Sequence, residues 1–488
     1  MSNTAALRAQ VSDLTLAIAR HEQLLDDMRT RLRNLQSQLD SIVYPVLNLP
    51  HEITSEFFVH CLPPKRQKDV VNVMEAPLLL THVCRAWRQI AISTPALWTT
   101  FDIQNASSLP RLPEIATAWF ERTRKCPLSV RIHGSLQSNV TSNFRAFMEK
   151  FRDYSSKIRS LELHTSLEDF EEMGSHLGVL DFPLLQKLSI RVLLDEDQED
   201  IPADYNGIHR MFGGVPLLHN VLMAEVVPLF VALPWQQLTK FTGERYTVEE
   251  CLEALHLMPN LTECAFSLSD EDADGLEIFS HPNIQHLILF ESMSDLGIMA
   301  NSACILTLVT LPNLQTLEIL GADDFDEEEL NSFLLRSSPP LQRLAVRPLD
   351  SEDITTLQLD PPFMALRLTD LELWHPGRTF LLLFFDAFGW DSGLLPQLRK
   401  LSLLGCHSED GGADVYDILQ WAAVPVTTRW DVIAGYAQLQ SFRVVHRTYG
   451  GAHFGKSYPQ AALLPFRKLK ASGMDVYVQF GSEGKSEI

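Results

Sequence analysis

Carboxylates gather in three places along the chain where they could hold a metal ion or exchange protons. Asp270-x-Asp272-x-Asp274-Gly275 begins like an EF-hand calcium loop, in which alternate oxygen ligands surround the ion and a glycine makes the sharp turn. The twelfth position should supply a bidentate carboxylate but is His281, and the eighth is Glu277 where an apolar residue belongs, so calcium is not expected. The runs Asp195-Glu196-Asp197-Gln198-Glu199-Asp200 and Asp323-Asp324-Phe325-Asp326-Glu327-Glu328-Glu329 are dense. Catalytic acid–base pairs need two separately tuned environments, whereas dense runs suit solvated loops or a helix N-terminus. His407, Ser408 and Asp410 fall in a glycine-rich loop, and no GxSxG, Walker, GxGxxG or HExxH motif occurs. The seven cysteines contain no CxxC pair, which excludes finger- and ribbon-type zinc sites and suits reduced thiols of a cytosolic or nuclear protein. No catalytic residue, metal or cofactor is expected.

The elements around these residues must therefore carry a non-catalytic role. Of 488 residues, 45% are apolar and 21% charged, ordinary for a soluble globular chain of about three domains. The net charge of −22 is uneven. Residues 1–150 hold 17 basic and 13 acidic side chains, and the remainder holds 23 and 49. Such a balance argues against a phosphate-reading surface, so no nucleic acid is expected. No apolar run reaches about 18 residues and no secretory leader is visible, so neither membrane nor export is expected.

At the start, Leu7, Val11, Leu14, Ile18, Leu25, Met28, Leu32, Leu35, Leu39 and Ile42 recur at alternating steps of four and three, with His21 in one seam position. A period of 3.5 is a coiled-coil seam, and the β-branched Val11 and Ile18 at a positions favour a parallel dimer through residues 7–42. The alternative is one amphipathic helix folded back on the protein's own core. The narrow stripe favours self-association. Tyr44-Pro45 ends the helix.

Next come Leu49-Pro50-x-Glu52-Ile53, then Phe57, Phe58, Val59 and Leu62 at helical spacing, and a basic linker after Pro63-Pro64. A further helix covers Ala76 to Ala91, with Leu79…Val83-Cys84-Arg85-x-Trp87-Arg88-x-Ile90-Ala91, and the run closes on Pro95-x-Leu97-Trp98. In these residues the chain resembles the F-box, specifically the large F-box family expanded in mushroom-forming fungi. The inserted stretch Pro63–Glu75 is longer than in the shortest F-boxes. The resemblance implies docking on the Skp-type adaptor of a cullin–RING ubiquitin ligase through Leu49, Pro50, Ile53, Phe57, Leu62 and Val83. Trp87 and Trp98 would serve as packing. A module of about 50 residues cannot bury this many large apolar side chains alone, which agrees with a partner surface.

Beyond residue 150 the pattern Leu-x-x-Leu-x-Leu recurs eleven times with apolar substitutions, starting at residues 158, 185, 218, 238, 261, 284, 314, 341, 368, 398 and 439. Most copies follow a proline, as at Pro183, Pro259, Pro312, Pro340 and Pro396. Leu-x-Leu is a strand with one apolar face, and the intervening residues can supply a covering helix. That is the leucine-rich repeat, whose parallel strands stack into a solenoid. Only Cys406 fills the Asn/Cys position of the consensus, so the repeats are degenerate. Leu128–Ile132 and Met474–Phe480 read as strands at the two ends.

The expected architecture is an α/β solenoid of irregular leucine-rich repeats, preceded by an α-helical F-box and an N-terminal coiled coil. Its divisions are 1–43 coiled-coil helix, 44–100 F-box, 101–155 linker and N-terminal cap, 156–480 substrate-binding repeats, and 481–488 flexible tail. The implied function is substrate receptor of an SCF-type ligase, cytoplasmic or nuclear, not itself an enzyme. A dimeric interaction scaffold outside any ligase is the alternative. Between Arg245 and Arg336 there is no Lys or Arg, while 18 Asp or Glu occur. This acidic stretch, with Asp324, Glu327 and Glu328 as its candidate contacts, is expected to attract a basic segment of the target.

Overall fold

The computed structural model describes residues 2–40, 49–63, 72–104, 111–134, 141–193, 209–270, 272–273, 275–291, 301–321, 327–348, 363, 366–391, 393–406, 413–431, 436–446, 460–479 and 486. They fall into two compact units divided between Trp98 and Thr99.

The first unit is helical. α1 (Ser2–Asp40) runs unbroken, as its heptads predict. Pro50, extended at φ −53° and ψ 147°, opens α2 (His51–His60) where its missing N–H costs nothing. The single helix expected from Ala76 to Ala91 is instead two, α3 (Leu78–Val83) and α4 (Arg85–Ser93). The break is Cys84, extended at φ −156° and ψ 172°, whose sulfur accepts the Trp87 N–H at 3.4 Å and so caps α4. Arg88 Nε donates to the Thr81 carbonyl at 2.7 Å across this break. Trp87 meets the buried Phe58 edge-on at 4.9 Å, joining α4 to α2. Trp98, at the end of a 3₁₀ turn (Pro95–Trp98), donates its indole N–H to the Ala91 carbonyl at 2.8 Å.

The second unit is α/β, built on one parallel sheet of 14 strands whose spatial order follows the chain. They are β1 Thr100–Ile103, β2 Leu128–His133, β3 Ile158–Ser166, β4 Lys187–Leu193, β5 Asn220–Ala224, β6 Lys240–Tyr246 and β7 Glu263–Leu268. β8 His286–Phe290, β9 Thr316–Leu320, β10 Arg343–Arg347, β11 Asp370–Trp374, β12 Lys400–Cys406, β13 Ser441–His446 and β14 Asp475–Gln479 complete it. The second leucine of every copy falls in one register row: Leu161, Leu188, Val221, Phe241, Cys264, Leu287, Leu317, Leu344, Leu371, Leu401 and Phe442. Phe101, Val130 and Val476 extend this row to both edges, and all fourteen side chains are buried. The third apolar position forms a second buried row two residues on, with Gly243 standing in it on β6, because successive side chains alternate between faces. Residues 101–155, expected as linker and cap, already hold β1, β2 and two helices. β1 escapes the repeat pattern because Thr100–Ile103 has no preceding leucine at the right spacing.

Crossovers between strands include α5 (Leu112–Arg122), α6 (Thr141–Tyr154), α7 (Leu167–Leu177), α8 (Val248–Leu257), α9 (Glu327–Ser337), α10 (Arg378–Trp390), α11 (Val415–Trp430) and α12 (Gln460–Ala471). Shorter gaps, such as Pro228–Phe230 and Ser302–Thr307, hold 3₁₀ turns. Thr247 and Glu250 form a reciprocal capping box at the start of α8. Side-chain amides tie successive crossovers together: Asn260, Asn283 and Asn313 each donate at 2.8 Å to the carbonyls of Gln236, Pro259 and Pro282. Arginines do the same in the helical layer. Arg152 donates to the His176 and Leu177 carbonyls, Arg336 to those of Leu306 and Val309. Arg429, 2% exposed, reaches four carbonyls at the end of α10.

Candidate functional site

Two surfaces offer chemistry to a partner. The first is apolar. In α2, Thr54 and Phe58 face inward, which turns Ile53 and Phe57 outward at helical spacing i, i+4. Leu49, just before the helix, is also open to solvent, and Leu49, Ile53 and Phe57 are 45%, 56% and 61% exposed. Val83 and Leu79 repeat this arrangement on α3 and are also exposed. Pro50 is exposed, whereas Leu62 is half-buried. Of the six residues expected to dock, five are thus open to solvent, and Ile53 and Phe57 share one helix face. Sequence reading singled out neither Val73 nor Met74, 51% and 73% exposed near the end of the inserted stretch Pro63–Glu75. Their apolar types just after the basic linker were the available signal. Transferring such side chains from water to a partner yields about 1.5–3 kcal/mol each, so a stripe left open is an unfilled source of binding energy.

The second surface is the outward face of the 14-stranded sheet, where half-buried polar residues alternate with the buried rows. Parallel sheets are ordinarily apolar on both faces, so this polarity is a property of the chain rather than of the architecture. Its charges are organised in pairs across strands. Arg343 on β10 donates to Glu318 on β9 at 3.1 Å and to Asp370 and Glu372 on β11 at 3.1 and 3.0 Å. Lys240 pairs with Glu263, and Arg191 with Glu244. Arg347 lies over the Trp374 ring at 4.5 Å, and Arg443 over Tyr477 at 4.9 Å.

This pairing changes how the acidic stretch is read. Its two strand-borne acids, Glu263 and Glu318, are neutralised by Lys240 and Arg343, which lie outside the stretch in sequence and beside it in space. Glu250 is committed to its cap. Glu328 is exposed in the first turn of α9, where acids favour the helix dipole. Asp324 and the side chain of Glu327 lie outside the described residues, as do Asp195–Asp200, His407, Ser408, Asp410 and Asp274. The EF-hand-like segment is bounded by strands, β7 before it and Phe279–Ser280 after it. His281 there is a core residue: one ring nitrogen lies 3.0 Å from the Met258 carbonyl, and the other accepts the Asn283 N–H at 3.3 Å. Burial pushes its pKa below the usual 6.5.

Near the first edge of the sheet, Arg131, His133, Glu162 and His164 share the polar face of β2 and β3. Arg131 Nε donates to Glu162 Oε2 at 3.0 Å, while Glu162 Oε1 lies 3.5 Å from His133 Nε2 and 3.3 Å from His164 Nε2. Burial pushes the His164 pKa down to about 4, helped by His133, Arg191 and Arg131, so its imidazole is neutral at pH 7. Elsewhere, all seven cysteines are free thiols. Burial raises the pKa values of Cys251, Cys264 and Cys406 above the ordinary thiol range, which removes them as nucleophiles. None of the described helices is long and apolar enough to cross a membrane. Compared with models of known protein families and with curated proteins, the chain matches none.

Proposed function

We propose that the chain is the substrate-recognition subunit of an SCF-type ubiquitin ligase. Residues 44–100 would be the F-box that docks on a Skp-type adaptor and, through it, a cullin. Residues 156–480 would be a degenerate leucine-rich-repeat solenoid that holds a protein target on its polar strand face. The observation that carries this reading is the exposed apolar set Leu49, Ile53 and Phe57 on a small helical unit whose interior already holds Phe58, Leu80, Leu97 and Trp98. The mechanism is positioning: a target held near the charged conjugating enzyme experiences a raised effective concentration. Co-purification of the full chain with a Skp-type adaptor tests it. Binding lost on Leu49→Ala/Pro50→Ala supports the receptor reading, and no binding by the unaltered chain sinks it.

A second reading, a scaffold that dimerises outside any ligase, draws on α1. Its seam residues Leu7, Val11, Leu14, Ile18, Leu25, Met28, Leu32, Leu35 and Leu39 are 47–66% exposed, so the helix does not spend them on the chain's own core. Sedimentation of residues 1–43 discriminates: a parallel dimer is expected, and a monomer at high micromolar concentration ends the idea. The two readings are compatible, since a dimeric receptor would present two docking stripes.

A further inference from the structure

We propose that His133, Glu162 and His164 form a binding site for a divalent transition-metal ion, Zn²⁺ in the first instance, clasping β2 to β3. The inference does not depend on the ligase reading. The two histidines sit directly opposite each other in the β2–β3 register, and Glu162 lies two residues before His164 on the same face. Their rings approach to 4.2 Å between centroids, which brings both Nε2 atoms toward the same carboxylate oxygen. All three donor atoms lie within 4.8 Å of one another. Ligands at about 2.0–2.2 Å from tetrahedral zinc are ~3.3 Å apart, close to the separations of 3.5 and 3.3 Å found here.

Two further observations point to an ion rather than to a hydrogen-bonded triad. His133 Nε2 is sealed from solvent yet makes no hydrogen bond among the described residues. A buried ring nitrogen left so costs free energy, and a metal would satisfy it. The second carboxylate oxygen of Glu162 is held by Arg131, the kind of outer partner that orients a ligating carboxylate. Arg131 also reaches Asp102 at 3.5 Å, and Arg191 on β4 pairs with Glu244, so the nearby cations are each matched by a carboxylate. Two imidazoles and one carboxylate leave a further coordination position for water or a donor from outside. Sequence reading missed this site because its ligands are isolated in sequence. The alternation in Glu162-x-His164 on a strand was the available signal.

The test uses the full chain without a polyhistidine tag, stripped with a chelator and titrated with Co²⁺ and Zn²⁺. One equivalent is expected to bind, Co²⁺ giving the visible absorption of a low-coordinate site and Zn²⁺ displacing it. X-ray absorption should report two imidazoles. His133→Ala and His164→Ala should each weaken binding by about 100-fold or more, beyond the 10–100-fold usual for outer-shell partners. Glu162→Gln preserves shape while removing the anionic ligand, and should also lose affinity without losing circular dichroism or thermal cooperativity. Absence of stoichiometric binding, or binding unchanged in the folded Glu162→Gln and His133→Ala/His164→Ala variants, overturns the proposal.

Discussion

Replacing Arg429 with methionine should loosen the α10–α11 region far more than a surface change would. The guanidinium donates to Phe388 at 3.1 Å, Leu395 at 3.4 Å, Asp391 at 3.1 Å and Leu394 at 2.8 Å, all backbone carbonyls around the end of α10. It also lies between two rings, 4.1 Å from Phe388 and 4.2 Å from Tyr436. Hydrogen bonds to a charged group contribute about 1.5–3 kcal/mol each, though not additively. Methionine fills similar volume and removes the cost of burying a charge, which offsets part of the loss. The orphaned carbonyls remain, and breaking a buried charged network typically costs about 3–5 kcal/mol. At about 1.4 kcal/mol per decade, the lower figure accelerates amide exchange roughly 100-fold where exchange requires that region to open. Hydrogen exchange read by mass spectrometry should show this in residues 378–395 and 415–431, while β2–β5 stay unchanged. Arg429→Lys keeps the charge but has three donors without the planar fork, and should fall between. An acceleration below tenfold in Arg429→Met would refute the claim that these four contacts fasten the two helices.

Three further outcomes are expected. Phe57→Asp should abolish adaptor binding with the fold intact, whereas Phe58→Ala, one residue on and fully buried, should cost about 3–5 kcal/mol of stability; adaptor pull-down and thermal melts of both variants check this pair. His281 has a folded pKa below its unfolded value, so its stabilisation is complete above about pH 6.5 and is lost as pH falls toward the folded pKa; the rise in stability from pH 5 to 8, measured by urea unfolding, should be smaller in His281→Gln. Reversing charge at Asp324, Glu327 and Glu328 should slow capture of a basic target and flatten its salt dependence, as read by stopped-flow association; unchanged kinetics would make those carboxylates ordinary solvated charges.

The sheet was legible because a strand repeats every two residues and each buried row demands an apolar side chain at the same place. Even the weak copies at Leu218, Leu238, Leu261 and Leu439 fall in register with Leu317 and Leu371, since Val221, Phe241, Cys264 and Phe442 satisfy the same burial. The exposed stripe was legible for a related reason. Ile53 and Phe57 at i and i+4, beside inward-facing Thr54 and Phe58, leave the helix with more apolar surface than one face can bury. What the sequence hid are ties that depend on distance in space. Arg429 meets carbonyls about 40 residues earlier, and nothing in its neighbours distinguishes it from a surface arginine. The break at Cys84 was hidden because the residues around it suit one helix, and only its extended backbone divides them.

The asparagines show how such ties could be read. Pro259-Asn260-Leu261, Pro282-Asn283-Ile284 and Pro312-Asn313-Leu314 place an amide immediately before the first apolar residue of three successive copies. Parallel strands leave the turn between crossover and strand with backbone carbonyls that the sheet does not pair. Each asparagine supplies a donor to the turn of the preceding copy, so the same residue type at the same place becomes a ladder. The conventional place for asparagine, after the third leucine, is filled here only by Cys406, which made the repeats look degenerate. In three copies an asparagine stands instead at the start, directly before the first apolar residue. A pattern of Pro-Asn-apolar, its asparagines 23 and 30 residues apart here, is therefore a physical signature of stacked parallel crossovers, present even in the copy whose second and third positions are Cys264 and Phe266.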